Sequence, residues 1–125
     1  MDTTSLKDYR VLYVEDEENL RNMVGTILRR RMGEVILAGD GKEGILCFKR
    51  SRPDLVITDM EMPVMNGLEM VRRIRQFNTS TPILLLTAYR EEAENARGVD
   101  QVLHKPIDKN ELIRSVQEAI EKSKR

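Results

Sequence analysis

The sequence predicts a doubly wound α/β sandwich around a five-stranded parallel sheet, and three observations predict it. Short apolar runs alternate with longer segments of helical period, uninterrupted by repeats or low-complexity stretches. The runs are continuously apolar rather than alternating, which suits parallel strands covered on both faces. Between them, helix starts are marked by a capping side chain three residues ahead of a glutamate. At 125 residues the chain has the size of one domain, expected over residues 10–122, with a flexible segment 1–9 before it and a tail 123–125 behind.

The first strand is read from "RVLYVED", Arg10 to Asp16. Asp16 is a candidate N-cap for a helix beginning at Glu17, whose stripe is Leu20, Val24, Ile27 and Leu28. "EVILA", Glu34 to Ala38, is the second strand, and Asp40 with Glu43 opens the second helix. "DLVITD", Asp54 to Asp59, is the third strand; Asn66 with Glu69 opens the third helix, striped by Leu68, Val71 and Ile74. "PILLLTA", Pro82 to Ala88, is the fourth strand. The helix after it, "REEAENARG", offers only Ala93 and Ala96 as apolar contacts and is expected to be short and loosely held. "DQVLHK", Asp100 to Lys105, is the fifth strand, and Asp108 with Glu111 opens a last helix striped by Leu112, Val116, Ala119 and Ile120. Right-handed crossovers then place helices on both sheet faces.

Charge narrows the function classes. Lysine plus arginine number 21 and aspartate plus glutamate 21, so no global field favours nucleic acid or an anionic membrane. The arginines at Arg29 to Arg31 and in "RRIR", Arg72 to Arg75, read as solvated helix faces. Apolar runs of about five residues fall far short of a membrane helix, and "MDTTSLKD" lacks a signal peptide's apolar centre, so a cytoplasmic chain is expected. The single cysteine, Cys47, has no internal partner for a disulfide.

In such a fold a ligand site lies outside the carboxyl ends of the strands. The first strand ends in Glu15 and Asp16, the third in Asp59, the fourth in Thr87, and the fifth in Lys105 followed by Pro106. Singly these have bland readings: a cap, a turn, a β-branched strand residue, a solvated lysine. Together, three carboxylates at one edge repel one another and call for a cation. Magnesium, a hard ion that prefers oxygen ligands, is the natural candidate.

The set "VEDE", "DMEMPVMNG", "TA" and "KP", in this order at successive strand ends, resembles the receiver domain of bacterial two-component response regulators. The resemblance runs from about Arg10 to about Lys122 and implies a flavodoxin-like (βα)5 fold with strand order 2-1-3-4-5. It implies that Asp59 accepts a phosphoryl group from a histidine kinase or phosphotransfer protein. Glu15, Asp16 and Asp59, with the backbone carbonyl of Glu61, would hold Mg2+. Lys105 would pair with the acceptor and then with the phosphoryl group, and Thr87 would bond the new phosphoryl oxygen. Ala88 would keep the wall beside it small, Pro106 would follow the lysine through a cis bond, and Pro63 and Gly67 would shape the loop over the site. Glu61 and Tyr89 match positions that tune the lifetime of the aspartyl phosphate. Output would pass to an effector domain or target protein, and a homodimer through the fourth helix, fifth strand and fifth helix stays open.

Two departures stand out. The family's switch aromatic, three residues before the lysine, is here Val102, which has no ring to rotate. The stretch from Thr87 to Lys105 is about one helical turn short, so the expectation is that phosphorylation remodels the loop after Thr87 without an aromatic switch. Two rivals are weighed. A haloacid-dehalogenase-like phosphohydrolase would want an aspartate two residues after the nucleophile, where Glu61 stands, and metal acids from late in the chain. A receiver-fold binding module that signals without phosphorylation is kept open by Val102 and opposed by the intact acceptor, acids, threonine and lysine. His104 reads as an ordinary strand-end side chain.

Overall fold

The computed structural model describes residues 5–89, 91 and 96–124. Its elements follow as β1 (Arg10–Val14), α1 (Glu18–Arg29), β2 (Glu34–Ala38), α2 (Gly41–Ser51), β3 (Leu55–Asp59), α3 (Gly67–Arg75), β4 (Ile83–Thr87), β5 (Gln101–His104) and a C-terminal helix, α4 (Lys109–Ser123). All strand pairs are parallel, in the order β2-β1-β3-β4-β5. The doubly wound five-stranded sheet is therefore the one expected. The short helix expected in "REEAENARG" falls largely outside the described residues.

Successive strand residues face opposite sides, and the core divides accordingly. Val11 and Tyr13, with Leu55, Ile57, Leu84 and Leu86, pack against Val24 and Leu28 of α1 and Leu112, Val116 and Ile120 of α4. Leu12, Val14, Val56 and Ile83 pack against Phe48 of α2 and Met70, Val71 and Ile74 of α3. β3 and β4 are buried along their whole length, as their continuous apolar runs require.

Asp40, Asn66 and Asp108 cap α2, α3 and α4 as read from the sequence, each accepting from a backbone amide of the first turn. The cap of α1 differs. Glu17, not Asp16, fills it, its carboxylate accepting from the amides of Asn19 at 3.2 Å and Leu20 at 2.6 Å. The longer side chain reaches both amides, and Asp16 is left outside the helix.

The lead-in to β1 is packed at Leu6. Leu6 is 3% exposed within the core, and its carbonyl accepts from the amides of Tyr9 and Gly33. Packing therefore begins ahead of Arg10, at Leu6.

Candidate functional site at the carboxyl edge of the sheet

Strand register assembles the site. Val14 lies opposite Thr58, Asp59 opposite Leu86, and Thr87 opposite His104. The residues that follow β1 and β5 therefore emerge beside the ends of β3 and β4. Glu15 is anchored as β1 finishes: its amide donates to the Ala38 carbonyl at 3.0 Å, and its own carbonyl accepts from the Arg21 guanidinium at 2.8 Å. The amide of Lys105 donates to the Thr87 carbonyl at 2.9 Å, which fixes where the lysine side chain starts.

Asp59 is 2% exposed and Glu15 is 1% exposed. Lys105 Nζ lies 2.7 Å from Asp59 Oδ1 and 3.9 Å from Glu15 Oε1, so one ammonium serves two buried acids unequally. The Asp59 contact is an ion pair without the alignment of a hydrogen bond, and buried Oδ1 has no hydrogen-bond partner among the described residues. Ligand oxygens of Glu15, Asp16 and Asp59 lie within 4.8 Å of one another, with Asp16 exposed. Three hard oxygen donors converging from two strand ends are a donor set for a small divalent cation.

Charge and burial compete here. Burial pushes the Glu15 carboxyl up to about 7, against the Glu17 amide, which donates to it at 3.1 Å, and with the help of the Asp59 charge. Burial also pushes Asp59 above the usual carboxylate range, and the Lys105 ammonium opposes that shift only in part. For Lys105 itself, burial pulls downward, but pairing with Asp59 and the charge of Glu15 outweighs it and the net shift is upward. Tyr13, whose hydroxyl donates to Glu15 Oε1 at 3.4 Å, is pushed up by burial and by the adjacent carboxylates.

Around this centre, the Lys105–Pro106 bond is cis, and Ala88 and Tyr89 are exposed at the mouth. Thr87 is fully buried; its hydroxyl donates to Glu61 Oε2 at 2.9 Å and accepts from the Tyr89 amide at 2.9 Å. Gly67 is needed for a close approach: a Cβ there would stand 2.2 Å from the Asp59 carbonyl oxygen. Val102 is partly buried against Met60 and Leu85. The sequence reading named every strand-end residue found here but not Tyr13, Arg21 or the Glu61 side-chain bond. Tyr13 had a signal, since it stands two residues before Glu15 and so shares its side of the strand. Arg21 and the Glu61 bond had none.

The family model described as the response regulator receiver domain matches residues 11–117. The regulatory protein AtoC of Escherichia coli (strain K12) is 36% identical over 90% of this chain and 25% of its own length. The chain thus spans about a quarter of that relative. Among solved structures, a response regulator receiver domain protein from Clostridium thermocellum superposes with a TM-score of 0.88 at 27% identity, covering 93% of this chain and 97% of that one. The response regulator TrrA from Thermotoga maritima, in complex with Mg(2+)-BeF, superposes at 0.82 with 33% identity, covering 89% and 98%.

Proposed function

The chain belongs to the response regulator receiver domain family, signalling modules that work with histidine kinases and effector domains, and from that membership we propose that Asp59 is its phosphoacceptor. One observation carries the reading: a buried strand-end carboxylate with an ammonium 2.7 Å away and two further acids converging on it. In the proposed step an Asp59 oxygen attacks phosphorus and the P–N bond to the donor imidazole breaks. The bonding pair leaves with the imidazole, which takes up a proton. The rigid strand end holds the carboxylate ready, so little ordering is left to the encounter. Lys105 supplies a point charge where negative charge gathers on the phosphoryl oxygens.

Glu15, Asp16, Asp59 and the Glu61 backbone carbonyl would hold Mg2+, which when bound supplies charge neutralisation between acceptor and phosphoryl oxygens. The donor chemistry fits, and so does buried Asp59 Oδ1, which has an ion contact but no hydrogen bond. The Glu15 oxygens already accept from Tyr13 and Glu17, which suits a water-bridged place, while exposed Asp16 suits a direct one. The Mg(2+)-BeF complex of TrrA supports the same assignment. On this reading Thr87 receives the phosphoryl oxygen beside small Ala88, the Lys105–Pro106 bond shapes the rim, and Glu61 and Tyr89 flank the water that ends the aspartyl phosphate. The chain catalyses only its own phosphorylation and slow dephosphorylation. It works in the cytoplasm and passes the signal to an effector domain or target protein, with Val102 unable to act as an aromatic switch.

The test is intact mass after incubation with acetyl phosphate and magnesium, beside Asp59→Asn and a metal-free control. The expected result is one added phosphoryl group that needs both Asp59 and the metal. No addition to folded, magnesium-bound protein would sink the reading and favour a module that signals without phosphorylation.

A further inference from the structure

A threonine hydroxyl has one proton to donate. In this protein Thr87 gives it to Glu61 Oε2 at 2.9 Å, and its oxygen accepts from the Tyr89 amide, also at 2.9 Å. Thr87 is fully buried, so water competes poorly for that proton. The hydroxyl's other acceptor contact, the Tyr89 carbonyl at 3.5 Å, is much the longer, so a phosphoryl oxygen on Asp59 that is to be bonded by Thr87 must take the proton from Glu61. The two bonds exclude each other by donor count alone.

We infer that the Glu61 side chain is a positioning residue, a latch that occupies the Thr87 hydroxyl until the phosphoryl group displaces it; this rests on the phosphoacceptor reading of Asp59. The latch joins the loop after β3, which follows Asp59 directly, to the end of β4. Breaking it frees the Glu61 carboxylate beside an open groove of about 480 Å3 lined by Met60, Met62, Pro63, Asn66 and Leu68. It also gives the chain an exchangeable contact that needs no aromatic ring. Val102, held against Met60 and Leu85, has two methyl groups and no alternative ring position to offer. The exchange at Thr87 therefore carries the phosphorylation state to the loop after β3.

The test is a double-mutant cycle on the affinity for beryllofluoride at saturating magnesium, using wild type, Glu61→Ala, Thr87→Ala and the double variant, with magnesium affinity measured separately. Loss of the latch is expected to tighten beryllofluoride binding roughly tenfold, the net worth of one hydrogen bond to a carboxylate, in the Thr87 background only. Glu61→Gln, which keeps an acceptor oxygen, is expected to restore part of the wild-type value. Equal tightening by Glu61→Ala with and without Thr87 would mean simple charge repulsion and would overturn the latch. The Thr87 methyl resonance gives a second reading in the ligand-free protein, where it is expected to shift in Glu61→Ala. An unmoved resonance also overturns the latch, whatever the beryllofluoride result. Failure of wild type and every variant to bind beryllofluoride, with the methyl shift present, would instead overturn the phosphoacceptor reading and the gating role built on it.

Discussion

Glu15→Gln should make the metal-free protein more stable at mildly alkaline pH and leave it unchanged in acid. Glu15 is 1% exposed, and burial lifts its carboxyl from an ordinary 4.5 to about 7. A carboxyl whose folded value lies above its unfolded value binds its proton more tightly in the folded state. Its contribution is therefore complete below about pH 4.5 and is lost as pH rises through about 7. The difference between those values corresponds to about 3 kcal/mol by about pH 8, or roughly 10 °C in Tm for a domain of this size. Asp59 is also shifted upward and adds in the same direction, which is why the variant rather than wild type alone isolates Glu15. Glutamine keeps an oxygen to accept from the Glu17 amide, so the local backbone is preserved. The assay is urea or thermal unfolding of both proteins in EDTA between about pH 5 and about pH 8, where the two curves should diverge with rising pH. Magnesium at about a hundredfold over its dissociation constant should return about 2.7 kcal/mol to wild type and less to the variant. A stability difference that is the same at both ends of the pH range would refute the assignment of a strained, buried Glu15.

Three further outcomes follow from the same geometry. Lys105→Met removes the ammonium 2.7 Å from Asp59 and should cost about 1–3 kcal/mol in EDTA at about pH 8, less at about pH 5 where the acids can take protons; denaturant midpoints at the two pH values check it. Gly67→Ala puts a methyl 2.2 Å from the Asp59 carbonyl oxygen, so it should lose about 1–3 kcal/mol and slow phosphoryl uptake from acetyl phosphate, since the loop cannot yield without moving the acceptor. Val64 is 75% exposed and sits at a φ of 70°, a left-handed conformation that a β-branched side chain resists. Val64→Asn should therefore raise stability by about 1 kcal/mol in thermal melts, and a lower Tm would contradict the strain.

The parallel sheet was legible because β1, β3 and β4 are buried on both faces, and burial on both faces is what a continuous apolar run records. The strand-end residues were legible for the same reason: the first charged or hydroxyl side chain after such a run has to stand at its edge. Three caps were read correctly, while α1 was read one residue early because aspartate is the commoner cap and the reach of Glu17 to two amides is a three-dimensional fact. The stripe of α3 was read as Leu68, Val71 and Ile74; Val71 and Ile74 are fully buried as read, but the third fully buried apolar side chain is Met70, and Leu68 is only partly buried. The Met70 sulfur lies where a Cβ on Gly44 would be 2.7 Å away, so a glycine on the neighbouring helix makes that space. Met70 itself was within reach of the sequence, since positions 67, 70, 71 and 74 keep helical spacing; the glycine that makes room for it lies on another helix. The Glu61 contact was illegible because it joins the loop after β3 to the end of β4, 26 residues on, and the Arg21 contact because the return of an α1 side chain to the end of β1 depends on how the helix is set against the strand.

The site's electrostatics explain why its parts are useful only together. A single ammonium lies 2.7 Å from one buried carboxylate and 3.9 Å from another, so it cannot neutralise both. Burial raises both Glu15 and Asp59, and the ammonium offsets that rise only in part. With the Glu15 carboxyl at about 7, a proton and a divalent cation compete for this site near neutral pH, in keeping with the proposed metal role. On the proposed reading, an anionic phosphoryl group on Asp59 would reverse the demand: the carboxylate's own charge would be masked, and Lys105 and Thr87 would become the donors that the new oxygens need. Lys105 can answer by moving along its flexible stem. Thr87 is buried and its only proton is engaged by Glu61, so it can answer only by breaking a bond that ties the loop after β3 to the end of β4. On the proposed reading, in a chain with valine at position 102, that broken bond would be the step through which phosphorylation of Asp59 reaches the surface.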